Sequence, residues 1–246
     1  MIIRDGKADT VEMRTYALVA VLMVVLSLAR VQANGIEGTI IVQHKLTKRR
    51  VTTAAAAYGR GTAVELRADP DGDPLAFERG RVVVYLEGQF PHESVTATME
   101  QKNRRFIPET LVVSAGSTVS FPNLDPLFHN VFSLSKPKTF DLGNYSKDHA
   151  RTVTFPKPGI VFVNCHLHPN MAAAIVISPN QWSAKADATG RFTLSGVPPG
   201  VYTIVAWHRA AGFFRQTVKV TENRDSDVQF VIPIDADGLT VVEARR

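Results

Sequence analysis

Short runs of β-branched and aromatic residues recur along most of this chain, each bounded by Gly, Pro, Asn or Asp. They are "GTIIVQH", "RVVVYLEG", "TLVVSAGSTVSF", "RTVTF", "GIVFVN", "AAIVIS", "RFTLSG", "VYTIVAW" and "DVQFVIP". Runs of this length, punctuated in this way, predict the strands of an all-β sandwich. In "VYTIVAW", Tyr202, Ile204 and Ala206 fall on one face and Thr203, Val205 and Trp207 on the other, the period of two that a strand imposes. Helical periodicity is absent beyond the first 33 residues. "TTAAAAYG" (Thr52 to Gly59) and the terminal "VEARR" each suit a turn or two of helix, and Gly35 to Asp73 is otherwise polar and mixed.

One apolar run breaks the pattern. A polar start carrying Arg4, Lys7 and Arg14 leads into "YALVAVLMVVLSLA" and then "RVQA", with small residues at Val31 and Ala33. That order predicts a secretory signal, residues 1–33, cut after Ala33. Asp5, Asp9 and Glu12 offset its basic residues. An uncleaved anchor is the alternative, but the run is shorter than the roughly 18 apolar residues that span a bilayer. The expectation is a periplasmic or secreted chain with no stable membrane insertion after cleavage.

The polar and ligand-type residues are unevenly shared. The strong metal-ligand candidates all fall between Thr96 and Ser178. The flanks hold "GTIIV" and "RVVVYLEG" before that block and "DATGRFTLSGVPPGVYTIVAWH" and "SDVQFVI" after it. Each flank is too short for a sandwich alone. The expected organisation is one sandwich from residues 34–90 joined with 181–246, and a second, 91–180, inserted in it or adjacent to it. Exposed loop tips tolerate such insertions when the guest's ends lie close together.

Charge and cysteine narrow the chemistry. The formal net charge is +5, and no Lys/Arg cluster is interleaved with aromatics, so a nucleic-acid partner is not expected. A mild basic excess suits an acidic protein partner. The single cysteine excludes an intramolecular disulfide, and a lone thiol in an exported chain has to be buried, paired or metal-bound.

That cysteine lies in "VFVNCHLHPNM", beside His166, His168 and Met171. Thiolate, imidazole and thioether form a soft donor set. A trigonal His₂Cys arrangement with a weak axial Met describes a blue-copper electron-transfer site. Cys165, His168 and Met171 supply three such donors on one loop, and His129 in "SFPNLDPLFHNVFS" is the candidate for the fourth. His166, next to Cys165 on a strand end, points the opposite way. His44, His92, His149 and His208 have no partner pattern and read as surface or structural residues. Asp125, Asp141 and Asp148 read as turn residues.

"RFIPETLVVSAGSTVSFPNLDPLFHNV" and "FPKPGIVFVNCHLHPNMAAAIVIS" resemble the cupredoxin family, with a ligand loop most similar to amicyanin-type and plastocyanin-like domains. The resemblance covers roughly Met99 to Ser178. It implies a Greek-key β-sandwich with one copper ion held equatorially by His129, Cys165 and His168 and axially by Met171. It further implies that Asn130 gives its backbone N–H to the cysteine sulfur and ties the two ligand loops. Asn123 would brace the upstream loop, and Pro169 would stiffen the downstream one. Pro169 and Ala172 would edge the port for electrons. "DATGRFTLSGVPPGVYTIVAWH" resembles carboxypeptidase regulatory-like, transthyretin-like sandwich segments, which implies a structural or binding module without catalytic residues.

The function expected from these readings is that of an exported copper protein carrying single electrons to a redox partner, and not an enzyme. A copper-binding or delivery protein and a non-redox binding or scaffold module are the alternatives. Oxidase or nitrite-reductase chemistry needs an additional copper site with several further His ligands, and no H-x-H motif stands outside the ligand loop; a binuclear copper centre needs a second Cys.

Overall fold

The computed structural model describes residues 34–46, 73–90, 92–222 and 226–232. The expected signal segment, "TTAAAAYG" and "VEARR" lie outside them.

The described chain is all-β, as the alternating pattern predicts. Its first strand, β1 (Gly35–Val42), buries every second residue from Ile36 onward. A single four-residue helix, α1 (Ala76–Arg79), precedes β2 (Val83–Leu86). No helical periodicity announced α1, because one turn carries none. Asp73 starts it by accepting the Leu75 N–H at 2.8 Å.

Ten strands follow in the middle of the chain. They are β3 (Thr96–Thr98), β4 (Glu100–Lys102), β5 (Arg105–Ile107), β6 (Thr110–Ser114) and β7 (Thr118–Pro122), then β8 (His129–Ser135), β9 (Lys138–Tyr145), β10 (Ala150–Thr154), β11 (Gly159–Asn164) and β12 (Ala172–Ser178). The run "TLVVSAGSTVSF" is thus two strands, turning at Gly116, whose φ of +83° suits glycine. β10-β7-β3 form one sheet and β6-β12-β11-β8-β9 another. Apolar side chains from both sheets, among them Val119, Phe121, Val153, Val161, Val163 and Ile175, meet in one core, as in face-to-face sandwiches.

The last five strands return to the first two. β13 (Ser183–Lys185), β14 (Arg191–Ser195), β15 (Gly200–His208), β16 (Gly212–Val220) and β17 (Ser226–Ile232) build the sheets β14-β1-β17 and β13-β2-β15-β16. Ile36, Ile40, Leu86, Phe192, Ile204 and Phe230 share a second core there. Gly38 keeps this core closed, because a Cβ at that position would collide with the Phe192 ring and the Val228 carbonyl.

β15 has apolar residues on both faces. Ile204 and Ala206 face the second core, while Trp207 joins Val83, Ala174 and Val176 in a third cluster against the β12 sheet. Where the chain passes between the two groups of strands, Asn180 gives its Nδ2 hydrogens to the carbonyls of Leu86 and Gly88, at 2.9 and 2.8 Å. This fully buried side chain straps the outgoing chain to the returning one.

Candidate metal centre

β11 and β12 pair up to Asn164 and Ala172, which leaves residues 165–171 as the loop of a hairpin. Two backbone bonds fold it: Cys165 N–H to the Met171 carbonyl at 3.2 Å and Met171 N–H to the His168 carbonyl at 2.9 Å. Alternation along β11 puts Val161, Val163 and Cys165 on the core face. Cys165 is therefore buried, and His166 is turned outward with its side chain 56% exposed. His129 opens β8 and is completely buried.

Three donor atoms converge here. His129 Nδ1 lies 3.1 Å from His168 Nδ1, and His168 Nδ1 lies 3.7 Å from the Cys165 sulfur; all three lie within 4.8 Å of one another. Donors bound about 2.0–2.3 Å from a shared ion at trigonal angles stand roughly 3.5 Å apart, so the triangle has the size of a metal site. Among the described residues no further His, Cys, Asp or Glu joins it, whereas structural zinc sites take four such ligands. Burial, then the neighbouring His129, then the positive charge of Arg104 hold the His168 imidazole below its ordinary proton affinity. This favours the neutral ring that a metal requires.

The surroundings fix each donor. The remaining nitrogen of His129, Nε2, lies 2.8 Å from Asp125 Oδ2, so the proton belongs on Nε2 and the Nδ1 lone pair faces His168 and Cys165. Asp125 also accepts the N–H of Asn103 through Oδ1 at 2.7 Å and of Arg104 through Oδ2 at 2.8 Å. Burial opposes its charge, but the Arg104 N–H, the His129 ring and the Asn103 N–H outweigh it and hold the carboxyl below the usual range. Asn130 gives its backbone N–H to the Cys165 sulfur at 3.4 Å. Its side chain donates to Asp141 Oδ1 at 2.6 Å and accepts the His166 N–H at 3.4 Å, linking the two loops.

The other residues singled out from the sequence are all placed. Met171 is buried in the same cluster as Cys165. Asn123, fully buried, donates to the carbonyls of Leu127 and Tyr145 and accepts the Asp125 N–H, so it holds the loop that leads to His129. Pro169 is exposed at the loop tip and Ala172 is half-buried. His166 stacks on Phe132 with ring centroids 3.7 Å apart. His208 is buried 3.3 Å from Glu78, and His92 bonds two carbonyls. Asp141 lies inside β9 rather than in a turn, where its carboxylate accepts the Gly143 N–H beside the register shift of the β8–β9 pairing.

Asp125 corrects the turn reading. It is 5% exposed and its carboxylate is the partner of His129. The signal was present in "DPLFH": a ligand histidine needs a partner for its second nitrogen, and the nearest acid stands four residues before it.

Domain II of polysaccharide lyase family 4 is the family whose model matches the chain, over residues 170–238. No curated protein matches the chain in sequence. The similar solved structures include the copper-containing nitrite reductase NirK from Thermus scotoductus SA-01, at 24% identity over 37% of this chain and 24% of that one, with a TM-score of 0.33. A purple cupredoxin from Nitrosopumilus maritimus is 21% identical over 33% of this chain and 99% of its own, with a TM-score of 0.31. Amicyanin from Paracoccus versutus is 20% identical over 38% and 96%, with a TM-score of 0.31. The chain spans about a quarter of the nitrite reductase's length and nearly the whole of the two smaller proteins.

Proposed function

We propose that this protein is an exported, non-enzymatic electron carrier whose copper ion is held by His129, Cys165 and His168, with the Met171 thioether as a weak axial ligand. The observation that carries this reading is the Nδ1–Nδ1–Sγ triangle, with His129 and Cys165 buried and His168 half-buried. Its donor types are those of His₂Cys copper sites, and its outer atoms are already engaged by Asp125 and Asn130. Bound copper supplies a one-electron couple. The chain's own part is to keep the donors in place as the charge changes: Asp125 fixes the His129 tautomer, Asn130 hydrogen-bonds the thiolate, and the closed 165–171 loop spaces Cys165 from His168.

Burial of His129 and Cys165 favours a resident ion over cargo, which needs an open site for exchange. Among the described residues no helix is long and apolar enough to cross a membrane. We further propose that residues 91–180 form the copper-bearing sandwich, inserted in a second sandwich made of 34–90 and 181–246.

The test is the visible spectrum of the protein with Cu(II), beside Cys165→Ser. An intense thiolate-to-copper band, lost in the variant and reversibly bleached by a mild reductant, is expected. A weak spectrum that Cys165→Ser leaves unchanged removes Cys165 from the ligand set and overturns the proposal.

A further inference from the structure

The β4–β5 hairpin stands beside this centre, and the site as read so far has no use for it. Its two-residue turn, Asn103–Arg104, has φ of 55° at both positions. Such a primed turn suits Asn, but arginine seldom adopts it. What holds it is Asp125, which takes the N–H of both residues and the ring of His129 on one carboxylate. The tip is therefore anchored to the ligand histidine's own partner, and its side chains are left free to face outward. Lys102, Arg104 and Arg105 are all exposed, putting three positive charges on four consecutive residues.

Next to this basic tip lies an apolar rim. Leu124, Leu127 and Phe128 on the loop before His129 are 37%, 46% and 59% exposed, and Leu167 on the loop of Cys165 and His168 is 46% exposed. Of the nearby acids, Asp125 is buried and occupied, Asp141 is engaged by Asn130 and Gly143, Glu109 pairs with Arg81, and Glu100 is half-buried at the end of β4 away from the tip. An apolar centre with a charged rim is the anatomy of a protein interface, and here the rim is basic.

We propose that the tip residues Lys102, Arg104 and Arg105, together with Leu124, Leu127, Phe128 and Leu167, form the docking surface for an acidic protein that exchanges electrons with the centre. The inference rests on the electron-carrier reading. The apolar residues sit on the loops that carry the ligands, so whatever covers them comes closest to the donors. For electron transfer that occupant is a redox protein, and complementarity requires its contact face to be negative.

The experiment uses the whole copper-loaded protein, a Lys102→Glu/Arg104→Glu/Arg105→Glu variant, and a Lys102→Glu/Arg105→Glu variant that leaves the strained turn residue alone. Stopped-flow oxidation of the reduced protein by hexacyanoferrate(III) and by tris(phenanthroline)cobalt(III) is followed from about 10 to about 300 mM salt. The anionic oxidant is expected to slow with salt, to lose about tenfold in rate in the charge-reversed variants at low salt, and to keep the visible band intact. The cationic oxidant shifts the other way. An intact band with unchanged salt slopes in both variants overturns the docking surface while leaving the electron carrier standing.

Absence of the band in the parent protein overturns the electron carrier instead. Metal-free protein titrated with a deca-glutamate peptide reads the surface without copper. NMR shifts confined to residues 102–105, 124–128 and 167 are expected, and shifts elsewhere overturn the proposal. Tighter binding to phosphatidylglycerol vesicles than to the peptide assigns the surface to lipid. Self-association abolished by the charge reversals assigns it to a second copy. Either result overturns the acidic-protein proposal.

Discussion

Asp125 makes three side-chain hydrogen bonds beside the proposed centre. Oδ1 accepts from Asn103, while Oδ2 accepts from both Arg104 and His129. Asp125→Asn keeps the shape but places two hydrogens where one of these oxygens stood, so either the hairpin or the histidine faces a donor with a donor. Copper affinity is expected to fall about 10- to 100-fold, the usual loss when a ligand histidine's partner is changed, while the thiolate-to-copper band persists. Competition with a calibrated chelator measures it. Residue type and order singled out His129, Cys165 and His168, whose donor atoms the structure brings within 4.8 Å of one another. Asp125 was not legible in that way, because its neighbours Asn123 and Pro126 make it look like an ordinary turn acid, and only the approach of β4–β5 reveals its other contacts.

His92 is the second residue whose role needed coordinates. Its Nδ1 lies 2.8 Å from the Phe90 carbonyl and its Nε2 2.9 Å from that of Ala115. Two acceptors need two N–H groups, so the ring is best held as imidazolium; the Phe90 carbonyl first, and then that of Ala115, raise its proton affinity above the ordinary value. The residues around it, Gln89, Pro156, Pro158 and Pro179, bring no charge, and the nearby Glu93 and Lys157 are exposed. A raised folded-state value means that the clasp contributes fully below the unfolded histidine value of about 6.5. That contribution is lost as pH rises through the folded value. Denaturation midpoints across that window are expected to fall with pH in the parent and to flatten in His92→Gln.

At the scale of elements, alternation found the strands that bury a face cleanly. β1, β11, β12, β14, β15 and β17 all appear where the apolar runs stand. The strands it left out, β3, β4, β5, β8, β9, β13 and β16, are short or interleave polar residues with the apolar ones. β9 reads Lys138, Thr139, Phe140, Asp141, Leu142, Gly143, Asn144 and Tyr145, and β16 exposes Arg215, Gln216 and Thr217 in succession. In such strands tertiary context overrides weak local preference. The hairpin β4–β5 belongs to this class, for its turn depends on a carboxylate some twenty positions away.

For the whole molecule, the third cluster is decisive. Trp207, 3% exposed, packs with Val83, Ala174 and Val176, residues drawn from both groups of strands. Trp207→Ala removes the largest side chain of that junction, and losses of about 3–5 kcal/mol are usual for such truncations. Because the loss falls between the two cores rather than within either, differential scanning calorimetry is expected to resolve the single transition of the parent into two in this variant. A single transition, merely lowered, would mean that the backbone crossings couple the two cores without the tryptophan.

Those crossings are where Asn180 spans the Leu86 and Gly88 carbonyls. One amide thus sets the doorway through which the chain leaves the outer strands and comes back. A segment whose two ends are brought within the reach of a single side chain behaves, for its host, as a long surface turn. Such a segment is portable: the donor loops, the hairpin that braces them and the apolar rim travel as one cassette, and the host strands keep their registers with β1 and β2 whether the cassette is long or short. The proposed metal centre and its scaffold can then diverge at separate rates, each altered without rebuilding the other.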